Sequence, residues 1–228
     1  MLNEQIRETI QMFRDNLPPE MTNLIEQGAG EISALDIIER AIQKGDTAPS
    51  FALKDQNGEN KTLDSYLEQG PLIITFYRGA WCPYCNLQLK AYGDRLSDLT
   101  STGATLIAIT PEKPNAIDTL IDTGVAKEFI DMVTTNIPFD VLHDADSELA
   151  TQFGLQFTLP ESHQQLLSAF NINVERLTGT STYTFPDPAT YIIDSDGKIA
   201  WAFVPNNYRK RAEVDNIVDA LQQLKSKN

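Results

Sequence analysis

The stretch Phe76-Tyr77-Arg78-Gly79-Ala80-Trp81-Cys82-Pro83-Tyr84-Cys85 holds the only two cysteines of the chain, at the junction of an apolar run and a helical pattern. Leu72 to Tyr77 is a continuous apolar, β-branched and aromatic segment, the pattern of a strand covered on both faces. Cys85, Leu89, Tyr92, Leu96 and Leu99 then draw an apolar stripe at helical spacing, predicting one helix that stops near Gly103. Pro83 suits the first helical position, which makes Cys82 the N-cap. A sulfur placed there faces the free N–H groups of Tyr84 and Cys85 and the positive end of the helix dipole, and both favour thiolate over thiol. The reading therefore expects an acidic Cys82 that attacks and a more buried Cys85 that closes a disulfide onto it. A structural zinc site wants four ligands, and beyond these cysteines the chain offers just His143 and His163, so no metal or other cofactor is called for. A pair of inert buried thiols is the weaker alternative, because both stand at a strand-to-helix turn with Pro83 between them.

The chain of 228 residues, 41% of them hydrophobic, has length for one sizeable domain with an appendage. A net charge of −14 without a clustered basic stripe argues against nucleic acid and anionic lipid as partners. No stretch approaches the roughly 20 apolar residues that span a membrane, so no membrane partner is expected. The start, Met1-Leu2-Asn3-Glu4-Gln5-Ile6-Arg7-Glu8, lacks a basic segment followed by an apolar one. The expectation is a cytoplasmic protein, in a compartment that keeps a dithiol reduced.

Residues 1–44 read as a helical N-terminal extension. Ile6, Ile10, Phe13 and Leu17 form one stripe, Pro18-Pro19 break it, and Ile32, Leu35, Ile38 and Ile42 suggest a second helix after Gly28-Ala29-Gly30. Such helices must bury their stripes, either as a layer on the main domain, the preferred reading, or in a homodimer contact. Residues 45–228 read as the main domain. Ala48 to Leu53 and Lys61-Thr62-Leu63 flank Asn57-Gly58 as an opening hairpin. Thr105 to Thr110 is a second buried strand, completing a right-handed βαβ unit with parallel strands. A helix over 115–132 uses Ile117, Leu120, Ile121, Val125, Phe129 and Ile130, Phe139 to Leu142 suits an edge strand, and a short helix runs from Ser147 to Phe153. Ala189 to Ile193 and Lys198 to Phe203 flank Asp194-Ser195-Asp196-Gly197 as a second hairpin, and Ile217, Val218, Leu221 and Leu224 mark a closing helix. Residues 155–187 form an insertion with one helical patch, Gln164 to Phe170, expected to make a wall or lid beside the cysteines.

This order of elements resembles a thioredoxin-like α/β fold with the N-terminal hairpin of the peroxiredoxins: a mixed central sheet flanked by helices, here with the helical extension added. Gly45-Asp46-Thr47-Ala48-Pro49-Ser50-Phe51 resembles the opening of the alkyl hydroperoxide reductase/thiol-specific antioxidant family, and Pro188-Ala189-Thr190-Tyr191-Ile192-Ile193-Asp194-Ser195-Asp196-Gly197 resembles its last hairpin. The resemblance covers about residues 45–225. Laying the family pattern Pro-x-x-x-Thr-x-x-Cys on the chain puts the peroxidatic cysteine at Cys85, the threonine at Cys82 and the proline at Arg78. The family's arginine falls at Pro188, where thioredoxins carry a cis-proline. The site is thus similar to a peroxiredoxin-like subgroup with a thioredoxin-style Trp-Cys-Pro-Tyr-Cys.

The resemblance implies an antioxidant thiol peroxidase. A hydroperoxide would oxidise one sulfur, the Cys82–Cys85 disulfide would form, and a thioredoxin- or glutaredoxin-like protein would reduce it. Arg78 would polarise the peroxide. Protein-disulfide reduction is the alternative, and a non-catalytic redox-sensing module the third reading. Local physics assigns attack to Cys82, the positional match to Cys85. Trp81 and Tyr84 read as a flat apolar rim for a partner or as half-buried core. Arg209 and Arg211 read as a solvated patch without a catalytic role, and His143 as a loop residue.

Overall fold

The computed structural model describes residues 1–125 and 130–226. Its centre is a seven-stranded mixed sheet in the order β2-β1-β5-β4-β3-β8-β9. The opening hairpin is β1 (Ala52–Asp55) and β2 (Asn60–Thr62), antiparallel as expected. Leu63 does not continue β2. Thr62 and Ser65 exchange side-chain-to-backbone hydrogen bonds, a capping box that starts α4 (Leu63–Leu67). The fully buried β3 (Leu72–Phe76) lies between parallel β4 (Thr105–Thr110) and antiparallel β8 (Ala189–Ile193), and β9 (Ile199–Phe203) pairs with β8. Asp194 Oδ1 accepts from the N–H groups of Asp196 and Lys198, so this carboxylate is used by the turn.

Other strand and helix expectations are corrected. β5 (Asp140–His143) is internal rather than an edge, because β1 folds back along it through Lys54↔His143 and Asp55↔Leu142 while β4 pairs on its other side. The cysteine helix ends early: α5 (Pro83–Asp94) and α6 (Leu96–Thr100) are separated at Arg95, whose φ of −118° and ψ of 25° are not helical. α7 spans Ala116–Asp122, with Ile121 exposed rather than on its buried stripe. Phe129, expected on the same helix, lies outside the described residues. The short helix after β5 is α8 (Glu148–Gln152).

The insertion holds more structure than its polarity suggested. It runs through β6 (Gln156–Thr158), α9 (Glu161–Ala169), α10 (Val174–Thr178) and β7 (Thr184–Pro186), with β6 and β7 paired antiparallel. Leu159, Leu167, Val174, Leu177 and Phe185 are all buried. The closing helix is α11 (Val214–Lys225).

The N-terminal segment forms α1 (Leu2–Asn16), α2 (Pro19–Ser33) and α3 (Ile37–Arg40). Gly28 and Gly30 lie inside α2 instead of breaking the chain. The reason at Gly28 is close approach to α9, since a Cβ there would stand 2.2 Å from the His163 ring. Of the stripe placed by spacing, Ile32 is buried as expected, Leu35 and Ile38 are exposed, and Ile25 packs inward beside Ile32. α1 packs against α5, and α2 against α9. Glu213 tethers the start of α1 by accepting from the N–H groups of Leu2 and Asn3 at 2.9 and 2.8 Å. The described helices include none long and apolar enough to cross a membrane.

Candidate active site

The loop between β3 and α5 delivers both sulfurs to the carboxyl end of β3. Gly79 turns it with a φ of +149°, and a Cβ there would lie 2.4 Å from Glu112 Oε1 and 2.7 Å from Trp81 Nε1. The Ala80 N–H donates to Glu112 Oε2 at 2.7 Å, and Asn86 Nδ2 donates to the carbonyls of Ala80 and Cys82. Cys82 is the N-cap and Pro83 the first helical residue, as predicted. The sulfur, however, accepts no hydrogen bond from the helix N–H groups. It faces side chains instead: the Arg78 Nη2 donates to Cys82 Sγ at 3.4 Å, and the Cys85 thiol donates to it at 2.9 Å.

Both cysteines are free and have no exposed surface. Burial alone would push the Cys82 thiol up. The Cys85 hydrogen bond and the positive charges of Arg78 and Arg211 outweigh that penalty and hold Cys82 well below the usual thiol range. Burial pushes Cys85 the other way, and the hydrogen bond and charge of Cys82 add to it, so Cys85 keeps its proton. The sulfurs therefore differ in charge state, and the cause is their side-chain partners rather than the helix cap.

Arg78 is 3% exposed. Its guanidinium lies 4.1 Å from the centroid of Tyr208 and 5.2 Å from that of Trp81, contacts that favour a cation over aromatic faces. Its Nε and Nη1 have no hydrogen-bond partner among the described residues. Trp81 packs edge-on against Phe185 of β7 at 5.2 Å, and Tyr84 lies 6.1 Å from Tyr208. At 8% and 4% exposure, Trp81 and Tyr84 are buried and form no surface rim. The extension and the insertion cover them.

Pro188 is buried at the entry to β8, one residue before the Phe76↔Ala189 pair, so the sheet register brings it to the sulfur end of β3. Its peptide bond is trans, unlike the cis-proline of thioredoxins. The neighbouring Asp187 is 2% exposed, and burial pushes its carboxyl up to about 7 against the charges of Arg78, Arg211 and Arg40.

Sequence reasoning passed over three groups. Arg211 is 2% exposed, and its Nη2 donates to Cys85 Sγ at 3.4 Å. Arg209 is also buried, donating to Glu26 Oε2 and the Ile25 carbonyl, both at 3.0 Å. The expected solvated patch is absent because α1 and α2 lie over it. Glu112, which follows the apolar β4 and Pro111, is 3% exposed, and burial pushes its carboxyl up to about 8. His143 ends β5, with Nδ1 2.6 Å from the Glu112 carbonyl.

Beside Arg78 lies an apolar cavity of about 60 Å³, lined by Phe13, Leu17 and Ile25 of the extension, Trp81, Pro83 and Tyr84 of the cysteine segment, and His163, Leu166, Leu167, Phe170 and Ile172 of the insertion.

The sequence matches the AhpC/TSA family over residues 44–202. A putative peroxiredoxin of Mycobacterium tuberculosis is 29% identical over 158 residues, covering 69% of this chain and 82% of that protein. Peroxiredoxin Bcp of Escherichia coli is 27% identical over 162 residues, covering 71% and 85%. Among solved structures, peroxidoxin BcpB from Mycobacterium tuberculosis superposes with a TM-score of 0.57 at 20% identity, over 80% of this chain and 98% of that one. The reduced 2-Cys peroxiredoxin of Plasmodium vivax gives 0.60 at 15% identity, over 81% and 83%. The fold is accordingly thioredoxin-like, and a match running from the opening hairpin through the cysteine loop into β9 makes this chain a member of the AhpC/TSA family.

Proposed function

We propose that the chain is a thiol-dependent peroxidase in which Cys82 attacks a hydroperoxide and Cys85 resolves the product. The observation carrying this reading is that Arg78 and the Cys85 thiol both donate to Cys82 Sγ, which favours a thiolate there at neutral pH. In the first step the Cys82 thiolate attacks the distal peroxide oxygen. The O–O bond breaks, Cys82 keeps the attacked O–H as a sulfenic acid, and the alkoxide or hydroxide leaves and takes a proton from solvent to become alcohol or water. Arg78 stabilises the negative charge that passes onto the leaving oxygen. In the second step Cys85 attacks the Cys82 sulfur, the S–S bond forms, and the sulfenic oxygen leaves as water. A thioredoxin- or glutaredoxin-like dithiol protein then reduces the disulfide.

Burial favours peroxide over a protein disulfide as the oxidising substrate. Neither sulfur has exposed surface, so a protein disulfide has no approach to Cys82 unless the covering side chains move. A small hydroperoxide can enter the cavity beside Arg78 and then needs a far smaller displacement of side chains to meet Cys82, which does not itself line the cavity. Recycling by a protein reductant then requires the oxidised site to open. A reducing compartment such as the cytoplasm would keep the pair as a dithiol between turnovers.

The same cavity favours hydroperoxides that carry an apolar organic group, because half-buried Phe13, Leu17, Leu166 and Phe170 line it around the arginine. Reduced protein is expected to show a higher kcat/KM for cumene hydroperoxide than for hydrogen peroxide. Leu17→Asp should lower that ratio by about 5- to 10-fold, the equivalent of part of one apolar side chain's burial. A ratio unchanged in the variant would remove the cavity from substrate selection.

A further inference from the structure

We propose that Arg211 is a catalytic residue of the second half-reaction, stabilising the Cys85 thiolate as it closes onto oxidised Cys82, and that Asn3 is the positioning residue that holds it there. The inference rests on the reading in which Cys82 attacks first.

The site contains two buried arginines and two sulfurs, paired one to one. Arg78 donates to Cys82 and Arg211 to Cys85, each at 3.4 Å. In the resting site only Cys82 is a thiolate, so only Arg78 directly faces an anion. Arg211 spends Nη1 on the carbonyls of Tyr208 and Lys210, leaves Nε without a hydrogen bond, and forms no ion pair among the described residues. A buried guanidinium without a direct carboxylate partner is costly unless an anion forms beside it at some stage.

The first half-reaction creates the condition for that anion. While Cys82 is a thiolate, its charge and its hydrogen bond keep the proton on Cys85. Conversion of Cys82 to a neutral sulfenic acid removes that charge, so that burial alone then stands against the positive charges of Arg211, which touches the sulfur, and Arg78. Cys85 loses its proton, its sulfur bonds to the Cys82 sulfur, and the S–O bond breaks. The departing hydroxide takes up the proton as water. Oxidation of one sulfur thus activates the other.

Asn3 fixes the arginine from the first turn of α1. Its Oδ1 accepts from the Arg211 N–H at 3.0 Å, and its Nδ2 donates to the Arg211 carbonyl at 2.8 Å, bracketing that backbone unit on both sides. Asn3 and Arg211 both lie outside residues 44–202, the part of the chain that matches the family. The N-terminal helix therefore supplies a part of the closure step.

Stopped-flow fluorescence of the reduced full chain mixed with cumene hydroperoxide separates the two steps, since sulfenate formation scales with peroxide concentration and closure does not. Arg211→Met is expected to slow closure ~10-fold or more, the loss of one charge-assisted hydrogen bond to a reacting sulfur. Arg211→Lys, which keeps the charge, should recover most of that rate. Asn3→Ala should give a smaller slowing of the same phase, and it carries the test if Arg211→Met does not fold. Closure unchanged in Arg211→Met and Asn3→Ala would overturn the proposal, and so would a lysine variant as slow as the methionine one. If instead Cys85→Ser abolishes the peroxide-dependent phase, the order of attack is wrong and the premise fails, a result visible independently of Arg211.

Discussion

Arg78→Met is expected to slow the reaction of the reduced protein with hydroperoxide by ~10- to 100-fold at neutral pH, the kinetic equivalent of losing one charge-assisted hydrogen bond of about 1.5–3 kcal/mol. Two effects combine. The Cys82 thiol, held down by its Cys85 hydrogen bond and by the arginine charges, rises toward its ordinary range when Arg78 is lost, so less thiolate is present. The donor that stabilises charge on the leaving oxygen goes with it. Methionine keeps much of the side-chain volume between Trp81 and Tyr208, so the aromatic walls retain a filler. The sign of the pH effect follows: the rate–pH midpoint of the variant moves up. At a pH high enough to ionise Cys82 in both proteins, only the leaving-group part of the loss persists. Equal rates and midpoints in the two proteins would show that Arg78 is packing rather than chemistry.

The cysteine variants should separate cleanly by step. Cys82→Ser is expected to lose peroxide reduction by a factor on the order of 10⁴ or more, because a serine hydroxyl without an adjacent base does not replace a thiolate nucleophile. Cys85→Ser should still react once with hydroperoxide and accumulate one sulfenic acid, detectable by a sulfenate-specific probe and by mass, while turnover with a dithiol protein stops. The opposite pattern, with sulfenate in Cys82→Ser and an inert Cys85→Ser, would return the attacking role to the position where the family pattern puts it.

How far the sequence carried this account depended on whether each signal was local. β3, the start of α5 and the Cys82–Pro83 junction follow from residues that are neighbours in the chain and stand where the sequence pattern placed them, whereas the break at Arg95 left no such mark. The acidity of Cys82 was expected from the helix cap, yet its sources are the Cys85 thiol three residues later, Arg78 four residues earlier and Arg211 from beyond the last strand. Arg211 is separated by 126 positions from the sulfur it touches, and a basic cluster in a polar stretch carries no mark of the helices that will cover it. Gly28-Ala29-Gly30 read as a break for a similar reason, because the ring that requires Gly28 belongs to His163. In the insertion, apolar residues are spread too thinly for a periodic pattern, although Phe157, Leu159, Leu167 and Phe185 all reach the core. β5 looked like an edge because its neighbour β1 comes from the opening hairpin and pairs with it over two positions.

The most direct test of the peroxidase reading is stopped-flow tryptophan fluorescence of the reduced wild-type protein, with Trp81 beside Cys82 as reporter. It is mixed in turn with hydrogen peroxide, cumene hydroperoxide and an oxidised thioredoxin-like protein. The account predicts a hydroperoxide rate constant on the order of 10³ above that of a free thiolate, as expected when an aligned donor stabilises the leaving oxygen, and slow exchange with the protein disulfide. Hydroperoxide reacting no faster than a free thiolate, with rapid exchange on the protein disulfide, would contradict it and make the chain a thiol–disulfide oxidoreductase.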